Sequence, residues 1–363
     1  MLMKKFFKNI ISFFLVGIVT FFLFEIFLRF SAIGQPSAFQ LNPKLGSVFK
    51  PSQPLFSIKE GMYIGETNQY GYLGPSYGYE KRNEVFRIAL VGDSYIEGLH
   101  LFDKYHLRSN LERNLEKVTG KKVEIMNFGR SGYNFNRMFI YYEEYIREFS
   151  PDLVLFFISP GDLIEKATEI GPVCILENDS LKIDYSFNQS SKYLSLKSTE
   201  IIREFSFYNL IQNCWVIIRN KKTPEILFDK VYSWVKNQKV SSGKKNKSNS
   251  KDNFFEVNKA IFKKLSDDNL LSRNKIAMVI RTELSTDYKY IISNYNIPRI
   301  PLYTYLNSLN EDGKLNYWPA TNQQGHWNHL AHKIIAEYLA SEIFNKIMLA
   351  DKKQNLVNIS QKQ

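Results

Sequence analysis

The sequence predicts an α/β domain built on a parallel sheet of five strands with helices on both faces. Short, continuous apolar runs alternate with helical stretches, and glycine-containing turns separate the two. An unbroken apolar run is typical of a strand buried on both faces, as in parallel sheets that helices cover. The predicted strands are 86–91, 123–128, 153–158, 276–280 and 297–302.

The stretches between these runs have the spacing of amphipathic helices. Leu107, Leu111 and Leu115 are four residues apart and predict a helix over 107–118. A related apolar stripe predicts a helix over 138–149, and a terminal helix is predicted over 329–347. The five strands are therefore expected to be parallel and joined through helices.

The N-terminus predicts a membrane anchor. Lys4, Lys5 and Lys8 precede an apolar stretch that reaches residue 30, and about 20 such residues suffice for a helix to cross a bilayer. A positive flank stays in the cytoplasm, so everything from about residue 35 onward is predicted to lie outside the cytoplasm, on a single retained helix. A signal peptide cleaved within 31–34 is the alternative.

The composition excludes few functions, but it argues against nucleic-acid binding and against a metal site built on cysteines. The chain has 363 residues, 44% of them hydrophobic, and a formal net charge of +12. Its positive residues are scattered or lie in a linker-like segment, which does not favour nucleic acid as a partner. Cys174 and Cys214 are the only cysteines, so one disulfide or two free thiols remain open and no metal site is predicted. The oligomeric state is not predicted.

The predicted organisation has four parts. Residues 1–34 form the anchor, 35–84 an irregular lead-in that wraps the domain, 85–348 the main domain and 349–363 a polar tail. Within the main domain an insertion is expected at about 165–272. Its segment 237–253 is rich in Lys, Ser, Asn and Gly, which cannot bury enough apolar surface to become ordered, and it is predicted to be a mobile loop.

The first candidate site lies where the first strand ends, at Gly92-Asp93-Ser94. A serine at this turn caps a helix, and its N–H lies in the positive field of the helix N-terminus, where an oxyanion is stabilised. A cap without chemistry is the alternative for Ser94. After the second strand, Gly132 could offer an unobstructed N–H to a substrate oxygen or serve only the turn.

The second candidate is His326, just before the last helix, from where it can reach back over the sheet to Ser94. His329 and His332 follow at intervals of three. A metal cluster of these histidines, or histidines that only pack, are the alternatives.

In combination, these residues resemble the SGNH or GDSL-like hydrolase superfamily, in particular its membrane-anchored bacterial branch. The resemblance covers about residues 68–163 and 275–348. It implies a three-layer, flavodoxin-like α/β/α sandwich with Ser94 as nucleophile, Gly132 as an oxyanion donor and His326 as catalytic base.

Two positions depart from the family's pattern. Gly161 stands where the third block has its oxyanion-binding asparagine, and glutamines stand where an aspartate precedes the histidine. The Gly161 N–H or Asn134 is then the candidate third donor. Because the family's orienting aspartate is absent before the histidine, Gln324 and Asp93 are the candidates to orient the imidazole.

The predicted function is an extracytoplasmic serine esterase or O-acyltransferase without a cofactor, acting on acyl esters, above all acetyl esters, of envelope or exported polysaccharide. Its substrate is a carbohydrate or an acylated small molecule. The alternative is a degenerate, noncatalytic domain of the same fold that binds glycan or scaffolds an envelope assembly. An α/β-hydrolase is disfavoured because no Gly-x-Ser-x-Gly turn surrounds Ser94.

Overall fold

The computed structural model describes residues 2–31, 33–34, 36–58, 60–165, 170–219, 250–271, 275–309 and 313–348. The chain divides into two compact units. We call Met1–Gln40 with Ser190–Asn246 the anchor unit, and Leu41–Gln189 with Lys247–Gln363 the sheet unit.

The central sheet has five parallel strands, as predicted. From one edge of the sheet to the other, the strands begin at Arg299, Lys275, Leu153, Phe86 and Val123, and every neighbouring pair is parallel. The last strand is shorter than predicted because Pro298 and Pro301 flank it and proline has no N–H for the ladder. The strands of this sheet are β5 Phe86–Gly92, β6 Val123–Gly129, β7 Leu153–Ile158, β10 Lys275–Ile280 and β11 Arg299–Ile300.

Helices cover both faces of the sheet. Alternate residues of β5 point to opposite faces, so Ala89 and Val91 join one apolar core while Ile88 and Leu90 join the other. All four are fully buried, and full burial of such a side chain stabilises the fold by about 1.5–3 kcal/mol. The predicted three-layer α/β/α sandwich is confirmed. Its helices are α3 Leu107–Thr119, α4 Phe135–Glu144, α7 Ser250–Leu271, α8 Thr286–Asn294, α9 Leu302–Ser308 and α10 His329–Ile343.

The boundary of the predicted insertion needs correction. Helix α7 lies within 165–272, yet its Ile261, Phe262 and Leu265 are fully buried in the core of the sandwich. The Phe262 ring stacks on Phe135 with 4.5 Å between centroids. Residues 250–253 of the predicted loop 237–253 therefore belong to a helix. The rest of that loop and the polar tail 349–363 lie outside the described residues.

The predicted irregular lead-in contains regular structure. Its strands are β1 Phe39–Asn42, β2 Gly46–Phe49, β3 Pro54–Ser57 and β4 Tyr63–Glu66. Strands β3 and β4 pair as an antiparallel hairpin, and Leu73 bridges to Asn127 of β6. The lead-in thus packs along one edge of the sheet. Two further antiparallel strand pairs lie in the described residues: β8 Val173–Glu177 with β9 Ser180–Asp184, and β12 Tyr317–Trp318 with β13 Gln323–Gln324.

The described part of the anchor unit is largely helical. Its first helix, α1, runs over Leu2–Phe30, and its stretch Lys5–Phe30 is long and apolar enough to cross a membrane. The unit also contains α5 Ser191–Ser198 and α6 Ser206–Arg219. Cys214 of α6 is exposed and Cys174 of the sheet unit is buried, and both thiols are free.

Candidate active site

Ser94 begins the single-turn helix α2, Ser94–Glu97, directly after β5. The helix cap is Asp93, whose carboxylate accepts the Tyr95 N–H at 3.0 Å, so the prediction that Ser94 is itself the cap was wrong. Gly92 permits the sharp turn because a Cβ there would lie 2.5 Å from Ile96 Cγ1. Since Asp93 supplies the cap, the Ser94 hydroxyl is left for another partner.

That partner is His326. Its Nε2 lies 2.7 Å from Ser94 Oγ, so the two residues that the sequence singled out meet at the carboxyl edge of the sheet. His326 follows strand β13 and precedes α10, whose cap is Asn328. The sheet brings the two loops together because β5 is an internal strand and α10 packs on α3.

A carboxylate holds the other side of the imidazole. Glu60 Oε1 and Oε2 lie 2.8 and 3.0 Å from His326 Nδ1, and Oε2 also accepts the His326 backbone N–H at 2.7 Å. With the ring proton on Nδ1, Nε2 is free to accept the Ser94 proton. Ser94, His326 and Glu60 thus form a hydrogen-bonded chain, the arrangement of a catalytic triad.

The expectation that no orienting carboxylate exists was therefore wrong. Glu60 comes from the turn between β3 and β4, far upstream of the position at which the family has its aspartate. The proposed substitutes are placed otherwise: Gln324 is exposed on β13, and the Asp93 carboxylate pairs with Arg281 at 2.7 Å. Gly325 makes room for the acid, since a Cβ there would overlap the Glu60 carboxylate.

Aromatic rings enclose the His326 ring. Tyr95 lies 4.7 Å from it between centroids, and His100 stacks at 5.1 Å with an interplanar angle of 25°. His100 Nε2 is 3.1 Å from the Trp327 carbonyl oxygen. Burial lowers the pKa of His100 to about 3, so this neighbour is neutral and does not repel an imidazolium at His326.

The same residues also form a set with metal-ligand chemistry. Glu60, His100 and His326 offer ligand atoms within 4.8 Å of one another. The lone pairs of an imidazole lie in its ring plane, and two rings stacked at 25° have nearly parallel planes, so an ion in the plane of one ring lies out of the plane of the other. Glu60 already accepts the Nδ1 proton of His326. The geometry therefore fits a hydrogen-bonded triad better than a metal centre.

The candidate oxyanion donors lie on three neighbouring loops. Ser94, Gly132 and Gly161 follow β5, β6 and β7, which are adjacent in the sheet. Gly132 has a φ of +80°, a conformation that favours glycine, and nothing lies within 4 Å of where its Cβ would be. Gly161 lies in the 3₁₀ turn Pro160–Asp162. Both glycines are exposed residues, so their backbone N–H groups remain candidate donors to a ligand.

A buried charge network that the sequence analysis missed braces these loops. Arg281, at the end of β10, bonds Asp93 at 2.7 Å and Asp162 at 3.0 Å. Its guanidinium also lies 4.4 Å from the Tyr95 ring centroid. Asp162 in turn accepts the Ser159 N–H at 2.9 Å. Arg281 therefore ties the loop that carries Ser94 to the loop that carries Gly161.

Comparisons with known proteins were made by sequence and by structure. No protein-family model matches the sequence, and no curated protein matches it. The solved structures that this chain resembles include GDSL-type hydrolases and acetylxylan esterases. They include a lipase/acylhydrolase from Enterococcus faecalis, with 10% identity and a TM-score of 0.36 over 71% of this chain and 95% of the other.

Two further structures illustrate the range. The acetylxylan esterase Axe2 from Geobacillus stearothermophilus has 12% identity and a TM-score of 0.35, over 71% of this chain and 94% of the other. A protein of the G-D-S-L family from Desulfitobacterium hafniense has 10% identity and a TM-score of 0.29, over 70% of this chain and 98% of the other. The fold assignment itself rests on the strand order and the layers of this chain.

Proposed function

We propose that the protein is a serine hydrolase of acyl esters whose catalytic triad is Ser94, His326 and Glu60. One observation carries the proposal: the continuous hydrogen bonds from Ser94 Oγ to His326 Nε2 at 2.7 Å and from Nδ1 to Glu60 at 2.8 Å. A serine hydroxyl is a weak nucleophile until a base within hydrogen-bond reach takes its proton. The three groups stand in that relation.

In the proposed mechanism, Ser94 Oγ attacks the acyl carbonyl carbon while its proton passes to His326 Nε2. Glu60 stabilises the imidazolium that forms, and the N–H groups of Ser94, Gly132 and Gly161 stabilise the oxyanion. The C–O bond of the ester then breaks, and His326 returns the proton to the departing alkoxide. Water, or a hydroxyl of an acceptor, repeats these steps on the acyl-enzyme.

The proposed substrates are acyl esters, above all acetyl esters, of envelope or exported polysaccharide. Support comes from the resemblance of the motifs around Ser94 and His326 to membrane-anchored esterases and transferases of this superfamily. Helix α1 and the positive flank of Lys4, Lys5 and Lys8 support an anchored domain on the extracytoplasmic side. Transfer to a sugar hydroxyl competes with hydrolysis in the second half of the reaction.

The test measures p-nitrophenyl acetate hydrolysis by the full-length protein in detergent. Ser94→Ala is expected to lower kcat/KM by at least about 10³-fold, since removing a triad member leaves little beyond binding and oxyanion stabilisation. Ser180→Ala is the matched control, because Ser180 is exposed on the β8–β9 hairpin. Equal rates for Ser94→Ala and the unmodified protein would reject the mechanism.

The alternative is a noncatalytic domain that binds glycan, and Gly161 in place of the family's asparagine is the observation that favours it. A fluorophosphonate probe separates the two proposals because it reacts only with an activated serine. Labelling that disappears in Ser94→Ala supports the hydrolase. If Ser94 is not labelled while acetylated polysaccharide still binds, the noncatalytic function is supported. Transfer is distinguished from hydrolysis by mass spectrometry of an added oligosaccharide acceptor.

A further inference from the structure

The anchor unit contains an acid in an unusual place. Glu25 lies in α1 within the stretch that can span a membrane, and it is only 4% exposed. Its carboxylate accepts a hydrogen bond from Arg29 Nε at 2.9 Å. It also accepts the N–H groups of Ser206 at 2.8 Å and of Phe207 at 3.0 Å. These N–H groups open helix α6, so Glu25 supplies the negative charge that a helix N-terminus attracts.

Aromatic packing fixes the start of α6 at the same level of α1. The Phe21 ring lies 5.9 Å from Phe205 and 5.7 Å from Phe207, and Phe24 lies 6.0 Å from Phe207. At a rise of 1.5 Å per residue, Phe21 lies about 14 Å along the axis from the end of α1 at Phe30. The backbone of α6 begins nearer the end of α1, since a Cβ on Gly34 would lie 2.4 Å from Ser206 O and 2.9 Å from Leu210 N. When α1 crosses a bilayer, the start of α6 therefore lies near the membrane boundary.

Large apolar side chains near and on α6 are uncovered. Ile201 is 80% exposed, Trp215 56% and Ile211 49%. The lipid-facing side chains of α1 show the same degree of exposure, for example Phe13 at 76%. Grouped apolar exposure of this kind marks an interaction surface. Tryptophan is enriched at membrane interfaces because its ring is apolar while its N–H can reach water.

We propose that helix α6 lies in the membrane–water interface and inserts Ile211 and Trp215 among the lipids. The inference rests on the proposed membrane anchoring and is independent of the esterase activity. The bilayer is the occupant that the structure favours, because α6 is joined to a membrane-spanning helix by a buried carboxylate and three ring contacts. Glu25 then fixes the depth of α6 in the membrane, and Arg29 and the N-terminus of α6 neutralise its charge.

The chain offers a convenient probe of this proposal. Cys214 is exposed on α6, whereas Cys174 is buried in the sheet unit, and burial raises the pKa of its thiol. A nitroxide reagent therefore labels Cys214 in the unmodified full-length protein, and Cys174→Ser verifies that selectivity. The labelled protein is reconstituted into bilayers of phosphatidylcholine and phosphatidylglycerol. Power-saturation spectroscopy then compares the access of oxygen, which partitions into lipid, with that of a water-soluble nickel chelate.

We expect a several-fold higher oxygen-to-nickel ratio at Cys214 than at a label on the exposed control Ser180→Cys, in a Cys214→Ser background. A ratio at Cys214 equal to the control, or shielding from both reagents by a protein partner or a second copy, overturns the proposal. A label at Ile18→Cys separates this failure from loss of the anchor. Ile18 lies mid-way along α1, so a water-like ratio there would reject membrane anchoring itself.

Discussion

Replacing Glu60 with glutamine tests the least expected member of the site. The substitution keeps the size of the side chain and one carbonyl oxygen for the hydrogen bonds, but it removes the negative charge. Glu60 lies 2.8 Å from His326 Nδ1, with side-chain exposures of 17% and 29% for the acid and the imidazole. The charge is thus well enough sheltered from water to act on the imidazolium of the transition state.

The magnitude follows from Coulomb's law. Two unit charges about 4 Å apart interact by about 4 kcal/mol at an effective dielectric constant of about 20. Each 1.36 kcal/mol is about tenfold in rate, so the loss of this charge predicts a fall in kcat of about 10³-fold. In a Ser-His-Asp triad, changing the aspartate to asparagine lowers kcat by about 10⁴-fold, which is consistent with this figure.

The assay is the kcat and kcat/KM of Glu60→Gln on p-nitrophenyl acetate, with Ser94→Ala as the floor. Glu66→Gln is the matched control, because Glu66 is an exposed glutamate of strand β4 in the same hairpin. Thermal melting checks that the variant is folded. If the folded Glu60→Gln protein keeps a kcat within about threefold of that of the unmodified protein, Glu60 is not the acid of the triad. Such a change is smaller than the tenfold that 1.36 kcal/mol represents.

Three further predictions follow from the same structure. Gly325→Ala places a Cβ in the space of the Glu60 carboxylate and should lower kcat/KM by about 10²-fold at unchanged Tm; full activity would contradict this. Arg281→Met leaves Asp162 buried without its cation and should cost about 3–5 kcal/mol, or roughly 10 °C in Tm, whereas an unchanged melting curve would exclude the bracing role. Burial lowers the pKa of His106 to about 4, so the unfolded form binds this proton first as the pH falls below about 6.5. This histidine alone should account for about 2 kcal/mol of the stability lost between about pH 7 and about pH 5 in denaturant titrations. His106→Asn should lose that part of the pH dependence.

The sheet was predictable because its signal is local. Each buried strand is an unbroken apolar run, and the run alone indicates a parallel strand covered on both faces. Helix α7 was harder to predict, since its buried Val257, Ile261, Phe262 and Leu265 are interleaved with lysines, asparagines and aspartates and follow a polar tract. The average composition of this stretch is polar, and only the spacing of these four residues indicates a buried helix face.

Some residues of the candidate site could likewise be predicted from local sequence, and others could not. Ser94 and His326 sit in recognisable motifs at strand and helix ends, and the structure brings the two side chains together. Glu60 is one glutamate in a turn, without periodicity or motif, and its role depends on a meeting in space with a residue far along the chain. Only Gly325, beside His326, hinted at a close approach. The role of Arg281 likewise depends on its contacts with Asp93 and Asp162, which come from two other loops.

The origin of Glu60 changes what counts as the smallest working piece of this protein. A fragment trimmed to begin at β5 would retain the proposed nucleophile and base, yet it would lack the proposed acid. On the proposed mechanism, the β3–β4 turn therefore belongs to the active site. Substitutions in that turn would then change the activity while the motifs around Ser94 and His326 stay the same.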